Sequence, residues 1–144
     1  MNNIYFNADD FGISKNISDC ILDLSFKNYI NSTSIFSNTI YFKEIKKKIN
    51  LMPIEKGLHF SLTEGLSLSK SKLLADEKGF LKFSGKDLFR YYISGSLNKK
   101  FCNQIFDEFE SQFENLSNYC KIQHISSHEH VHMIPPIFNY LLDF

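Results

Sequence analysis

The chain has 144 residues, enough for a single domain over residues 1–144 with a substantial buried core. Its 16 basic and 16 acidic side chains balance, which argues against the concentrated basic face that binding to nucleic acid requires. The 15 Phe and 7 Tyr exclude a disordered chain, and no apolar run is long enough to cross a membrane, so neither nucleic acid nor a membrane is an expected partner.

The cysteines indicate a reducing environment. Cys20, Cys102 and Cys120 are an odd number at wide spacings and form no CxxC pair, so no disulfide framework is predicted. Each falls in a helical pattern and is interpreted as a small core hydrophobe. No charged segment followed by an apolar one precedes the first predicted strand, so a secretory signal is not expected and the predicted location is the cytoplasm.

The chain opens with a short apolar run, residues 4–8, which is predicted as a strand. An adjacent pair of acids, Asp9 and Asp10, follows it and marks the exit from the strand into a loop. Ser14 is a candidate N-cap for the next helix, which is expected to end near residue 28.

Two further strands are predicted in the first half of the chain, over residues 32–37 and 57–62. Residues 40–51 lie between them and are predicted as one helix. His59 lies on the third strand, and Glu64 comes just after it. Polar side chains of this kind at the end of an apolar strand are candidate site residues.

A long excursion without clear periodicity occupies residues 65–84, with a small hairpin predicted near Gly79. A loop of this length in a compact domain is usually functional, for example as a lid or a substrate-binding arm. Helices are predicted over residues 87–93, over 98–120, where the apolar spacing is clearest, and from 137 to 144.

Four of the five histidines lie at even positions of the fourth predicted strand. They are His124, His128, His130 and His132. Residues two apart share a face of a strand, so these side chains are expected to point one way, and Ile125 and Val131 toward a core. A helix also aligns three of them at i and i+4, but the strict alternation and the two prolines that follow favour a strand. The dense cluster indicates a metal site or, alternatively, a polar strand end with hydrogen-bonded histidines.

The order β-α-β-α-β-insertion-α-β-α predicts an α/β fold with parallel strands. In such folds ligands bind at the carboxyl ends of the strands, which brings Asp9, Asp10, His59 and His128 together. One carboxylate and two imidazoles make a three-point divalent-metal site, and a second carboxylate beside it suits a general base. The alternatives are a turn with a helix cap for the acid pair and a core position for His59. The early position of His124 in its strand indicates a structural role.

Three segments carry a family resemblance: NADDFG at residues 7–12, GLHFSLTEG at 57–65 and SHEHVHMIP at 127–135. With NSTS at 31–34, they resemble the signatures of the YdjC-like carbohydrate deacetylases, in the same order and with compatible spacing over essentially the whole chain. The resemblance implies a hydrolase that depends on a divalent metal and removes acetyl groups from N-acetylated sugars or oligosaccharides, on an irregular parallel (β/α) barrel of the TIM type.

The resemblance also implies site residues. Asp10, His59 and His128 are the implied ligands of Mg²⁺ or Zn²⁺, and Asp9 is the implied catalytic base. Further candidates, for substrate binding or proton transfer, are Glu64, His130 and His132. The family often has an acid where this chain has Ser126, so a weaker partner for a ligand histidine is expected there.

A full barrel takes about 250 residues, so four predicted strands correspond to its N-terminal half. One alternative is therefore a truncated, non-catalytic chain that binds metal and whose open sheet edges favour a homo-oligomer. Another is a metal-dependent phosphoesterase, which the lack of a Gly-rich phosphate loop argues against.

Overall fold

Four parallel strands in chain order form one sheet in the computed structural model, which describes residues 4–144. The strands are β1 (Asn7–Phe11), β2 (Ser32–Ile35), β3 (Glu55–Phe60) and β4 (His124–Ser127). The helices are α1 (Lys15–Phe26), α2 (Phe42–Ile45), α3 (Gly85–Ile93), α4 (Lys99–Ser117) and α5 (Pro135–Asp143). All strand pairs are parallel, which confirms the predicted α/β class.

The two faces of this sheet differ in polarity. One face packs against the helices through fully buried side chains, which include Phe11, Ile35, Leu58 and Phe60. The pairing of the strands places mainly polar residues on the other face. They are Asn7, Asp9, Ser32, Ser34, His59, His124 and Ser126. Hydrogen bonds cross this face from strand to strand, for example from Ser32 Oγ to Asn7 Oδ1 at 2.6 Å.

The first strand begins later than its apolar residues predict. The side chains of Ile4, Tyr5 and Phe6 are 72%, 55% and 56% exposed, and pairing with β2 starts at Asn7. Asp9 and Asp10 therefore lie inside the strand and not in the loop beyond it. The first strand is confirmed, but its predicted bounds of 4–8 were wrong because they followed apolar character, whereas the pairing with β2 decides which residues are extended.

The segment predicted as one helix over residues 40–51 is broken. It contains α2 and a separate 3₁₀ turn, Ile49–Leu51, which both direct apolar side chains into the core. No side chain caps α2, and a short uncapped helix does not repay the cost of nucleation over a longer stretch. Ser14, by contrast, caps α1 as predicted, with its side chain accepting a hydrogen bond from the backbone N–H of Ile17.

The excursion over residues 65–84 contains the predicted hairpin. Antiparallel bridges join Leu66 to Phe80 and Ala75 to Leu81, and Gly79 adopts a positive φ of 86° at the turn. Loop residues 67–69 are fastened to α4 by the buried carboxylate of Glu108. The excursion is therefore an ordered arm packed against the helical layer.

The fourth strand is shorter than the histidine pattern predicts. β4 ends at Ser127, because Glu129 and His130 adopt left-handed conformations with φ of 50° and 53° that no strand continues through. The four histidines therefore do not share one face. Val131 is buried as expected, but Ile125 is 38% exposed.

The cysteine prediction holds in part. Cys102 is buried on α4, whereas Cys120 lies just after that helix and is half-buried, and Cys20 is exposed on α1. Among residues 4–144, no helix combines the length and the apolar character that crossing a membrane requires.

Candidate metal centre

Three side chains from three segments converge at the carboxyl edge of the sheet. Asp10 Oδ1 lies 3.2 Å from His59 Nε2 and 3.4 Å from His128 Nδ1. One ligand atom from each residue lies within 4.8 Å of the others, an arrangement that is able to hold a metal ion. The sheet produces this meeting because β1, β3 and β4 end at the same edge.

The contacts of Asp10 fit a metal better than hydrogen bonding. Its Oδ1 atom is buried and accepts no hydrogen bond from residues 4–144, although both imidazoles lie close to it. Two ligands held about 2.1 Å from a zinc ion at tetrahedral angles lie about 3.4 Å apart, which the observed separations match. This carboxylate oxygen and the two imidazole nitrogens beside it are together a set of ligand atoms that a divalent cation binds.

A β-bulge aims Asp10 into this centre. The pairing of β1 with β2 shifts between Ala8 and Phe11, and Asp10 has a left-handed φ of 70°. In a regular strand Asp9 and Asp10 would point to opposite faces. The bulge allows both to reach His59, whose Nδ1 also lies 3.6 Å from Asp9 Oδ1. Non-glycine residues held in this conformation are typical of functional sites.

Asp9 is held by two hydrogen-bond donors, one from its own strand and one from β4. Its Oδ1 atom accepts from Asn7 Nδ2 at 2.8 Å and from Ser126 Oγ at 3.4 Å. Ser126 also contacts His59 Nδ1 at 2.8 Å. The serine is therefore a direct partner of a converging histidine, at the position where the sequence predicts a weaker partner than the family's usual acid.

An aromatic wall supports the two histidines. Phe36 is fully buried just after β2, and its ring packs edge-on at 4.9 Å from His59 and 5.1 Å from His128. Sequence reasoning treated Phe36 only as a strand residue. Its position at the end of β2 is the signal that would have placed it at the same edge as the other strand ends.

The chain turns sharply after His128. Glu129 and His130 form the left-handed turn, and Glu129 Oε2 accepts a hydrogen bond of 2.6 Å from the backbone N–H of Gly85 at the start of α3. His130 lines a groove of about 460 Å³ together with apolar side chains that include Phe89 and Met133. The turn thus connects the converging residues to a groove beside α3.

Three other candidate residues lie apart from the converging atoms. Glu64 lines a separate cavity of about 260 Å³ near Tyr41 and Phe80. His132 faces Ser127, whose Oγ lies 2.6 Å from its Nδ1. His124 lies over Gly57 at the other end of β4, with Nε2 3.2 Å from Ser34 Oγ, in agreement with a structural role.

Burial favours the neutral form of three of the histidines by lowering their pKa. It lowers the pKa of His59 below its ordinary value of 6.5, although the nearby Asp9 and Asp10 act in the opposite direction. Burial likewise lowers the pKa of His124 and His132. A neutral imidazole is the form that binds a metal ion, so the low pKa of His59 suits it as a ligand.

Acidification is expected to destabilise the metal-free protein. Above pH 6.5, the ordinary histidine pKa, these histidines are mostly neutral in the folded and in the unfolded chain. Below it, they take up protons in the unfolded chain more readily than in the folded chain, where burial lowers their pKa. The free energy of unfolding should therefore fall as the pH drops below about 6.5. Urea denaturation across this pH range measures the slope, which should be shallower in His124→Asn. An unchanged free energy of unfolding would contradict the assignment of buried neutral histidines.

Comparisons with known proteins relate this chain to a known family. The profile of the family described as YdjC-like protein matches residues 3–144. Chitooligosaccharide deacetylases of Yersinia pestis (strain Pestoides F) and Yersinia pseudotuberculosis (serotype O:1b, strain IP 31758) are each 35% identical over 137 residues, covering 92% of this chain and 51% of the relative. The chain thus spans about half the length of the curated relatives it matches.

A solved structure supports the fold independently. A candidate cellobiose-phosphate cleavage protein from Enterococcus faecalis V583 matches with a TM-score of 0.76, at 21% identity, over 96% of this chain and 53% of its own. The family profile covers nearly every residue, and the curated relatives align with most of the chain. This chain therefore belongs to the YdjC-like protein family.

Proposed function

We propose that this chain carries the metal-binding half-site of a hydrolase that removes acetyl groups from N-acetylated oligosaccharides. The observation that supports it most directly is the buried Oδ1 of Asp10, which lies between the imidazoles of His59 and His128 and has no hydrogen-bond donor among the described residues. The names of the curated relatives, chitooligosaccharide deacetylases, support the substrate class.

Asp10, His59 and His128 would hold the divalent cation. A cation at this position supplies Lewis-acid chemistry, which activates water and polarises an acyl carbonyl. Two imidazoles with one carboxylate favour Zn²⁺, and Mg²⁺ is the alternative because it accepts a carboxylate and several waters. The buried ring of Phe36 packs edge-on against both histidines and supports their orientation.

Asp9 is the proposed general base. Its Oδ1 is fixed by Asn7 and Ser126, so its Oδ2 is the oxygen that takes the proton from the attacking water. Of the remaining candidates, His130 lines the groove beside the centre and is the side chain best placed to protonate the leaving amine.

Asp9→Asn is expected to lower the rate of deacetylation about a hundredfold, because the amide has no basic oxygen. Zinc affinity should stay within a few-fold, since the amide oxygen still accepts from Asn7 and Ser126. Steady-state assays and zinc titration of the same preparation measure the two effects. Asp23→Asn, an exposed acid on α1 paired with Lys27, is the matched control. A variant with full activity would remove Asp9 from the mechanism.

Product release distinguishes the proposed reaction from the two alternatives. The zinc-loaded and magnesium-loaded chains are incubated with N-acetylglucosamine oligomers and, separately, with a generic phosphate ester. Acetate release supports the deacetylase, and phosphate release alone would replace it with a phosphoesterase. Tight metal binding without either product would identify a non-catalytic metal-binding chain.

We also predict where the protein is located and whether its copies associate. The cysteines, which pair in no disulfide, favour a cytoplasmic location. The open edges of β1 and β4 favour association between copies of the chain. Light scattering of the purified protein measures that association.

A further inference from the structure

Ser126 lies between a proposed metal ligand and the proposed base. Its Oγ is 2.8 Å from His59 Nδ1 and 3.4 Å from Asp9 Oδ1. Ser126 and His59 are directly paired residues of β4 and β3. The contact is therefore set by the backbone of the sheet and not by a loop.

The chemistry of these groups decides the direction of the hydrogen bonds. A serine hydroxyl has one proton, and an ionised carboxylate only accepts. When the Ser126 proton points to Asp9, the hydroxyl oxygen must accept from His59 Nδ1–H. The neutral imidazole then carries no proton on Nε2, and this lone pair faces the side on which Asp10 lies.

The opposite tautomer of His59, protonated on Nε2, leaves that N–H without a hydrogen bond to Asp10. If Ser126 donated to Nδ1, the proton of His59 would sit on Nε2, 3.2 Å from Asp10 Oδ1. That separation suits a hydrogen bond, yet Oδ1 accepts none within residues 4–144, because the N–H direction of the ring does not point at it. An Nε2 lone pair and a carboxylate oxygen that are close but not aligned are instead placed to share a third atom.

We propose that Ser126 is a positioning residue that holds His59 in the tautomer protonated on Nδ1, and so presents Nε2 to a divalent cation. The inference rests on the metal centre of the proposed function. Hydrogen bonding at the distal nitrogen of a metal-binding histidine fixes its ring and raises its basicity. Here the hydroxyl of Ser126 accepts the hydrogen bond from His59 Nδ1, and the same hydroxyl donates to Asp9 Oδ1.

Loss of the Ser126 hydroxyl should affect His59 more than Asp9. Asp9 Oδ1 keeps its shorter bond from Asn7 Nδ2, at 2.8 Å. Nδ1 of His59 has Ser126 as its hydrogen-bonded partner in the described part of the chain, with Asp9 Oδ1 farther away at 3.6 Å. We therefore expect a defect in metal affinity, with Asp9 still in place.

Zinc titration of variants tests this expectation. Ser126→Ala should weaken zinc binding about 10-fold to 100-fold, and Ser126→Thr, which keeps the hydroxyl on a strand, should restore it to within a few-fold. Ser111→Ala is the matched control, because within the described residues the Oγ of that serine bonds to its own helix, at Asp107 O. Equal zinc affinity of the alanine and wild-type chains would overturn the proposal.

Nitrogen NMR of the metal-free chain tests the tautomer directly. The ¹⁵N shifts of neutral His59 should report a proton on Nδ1 in the wild type and in Ser126→Thr, and a shift of population toward Nε2–H in Ser126→Ala. A wild-type ring protonated on Nε2 would overturn the inference. If zinc fails to bind the wild type while the tautomers behave as expected, the metal centre fails and the role of Ser126 stands.

Discussion

Asp10→Asn is expected to weaken zinc binding by about 10³-fold or more, because the three-residue site loses its carboxylate ligand and keeps only the two imidazoles. Asparagine is the suitable replacement, since Asp10 has a φ of 70° and asparagine tolerates this left-handed conformation better than alanine. The shape of the side chain and of the bulge is thereby preserved. A calorimetric titration with zinc measures this loss of affinity.

The same variant should be at least as stable as the wild type when metal is absent. The buried Oδ1 of Asp10 has no donor in the described part of the chain, so removal of its charge relieves an unfavourable burial and adds up to about 1 kcal/mol to the free energy of unfolding. Urea denaturation in the presence of a chelator measures this. Asp23→Asn, exposed on α1, should change neither quantity. Unchanged zinc affinity of Asp10→Asn would show that the metal centre is wrongly assigned.

Glu108→Ala is expected to lower the free energy of unfolding by about 3–5 kcal/mol. The Glu108 side chain is fully buried on α4, and five donors converge on it. Its Oε1 accepts from Leu68 N at 3.0 Å and Gln112 Nε2 at 2.8 Å, and its Oε2 from Ser67 Oγ at 2.7 Å, Ser69 N at 3.0 Å and Ser69 Oγ at 2.6 Å. Alanine leaves these donors buried without an acceptor and opens a cavity.

Glu108→Gln separates the charge from the packing. It fills the same volume, but its amide group turns one acceptor into a donor that faces the backbone N–H groups of the arm, so an intermediate loss of stability is expected. Hydrogen exchange should rise first in residues 67–69, which the carboxylate fastens to α4. Glu114→Ala, exposed on the same helix, is the control. A loss in Glu108→Ala no larger than in this control would contradict the structural role of the network.

The fold and the grouping of the site were accessible from the amino-acid sequence. Alternating strand and helix patterns predicted parallel strands, and the rule that their carboxyl ends meet predicted that Asp10, His59 and His128 converge. The structure brings these three together although 118 positions separate the first from the last. Ser14, the cap of α1, and the hairpin at Gly79 were also predicted, because turns and caps depend on local backbone chemistry.

The aim of the side chains was decided only by the tertiary structure. A two-residue period places Asp9 and Asp10 on opposite faces, and only the pairing of β1 with β2 creates the bulge that turns both toward His59. Four histidines at even positions predicted one face, but Glu129 bonds to the start of α3 and ends the strand. Sequence patterns report which residues alternate along one segment. Register, bulges and the partner of each polar atom depend on the neighbouring strands, so the hydroxyl of Ser126 acquires its role only where β4 pairs with β3.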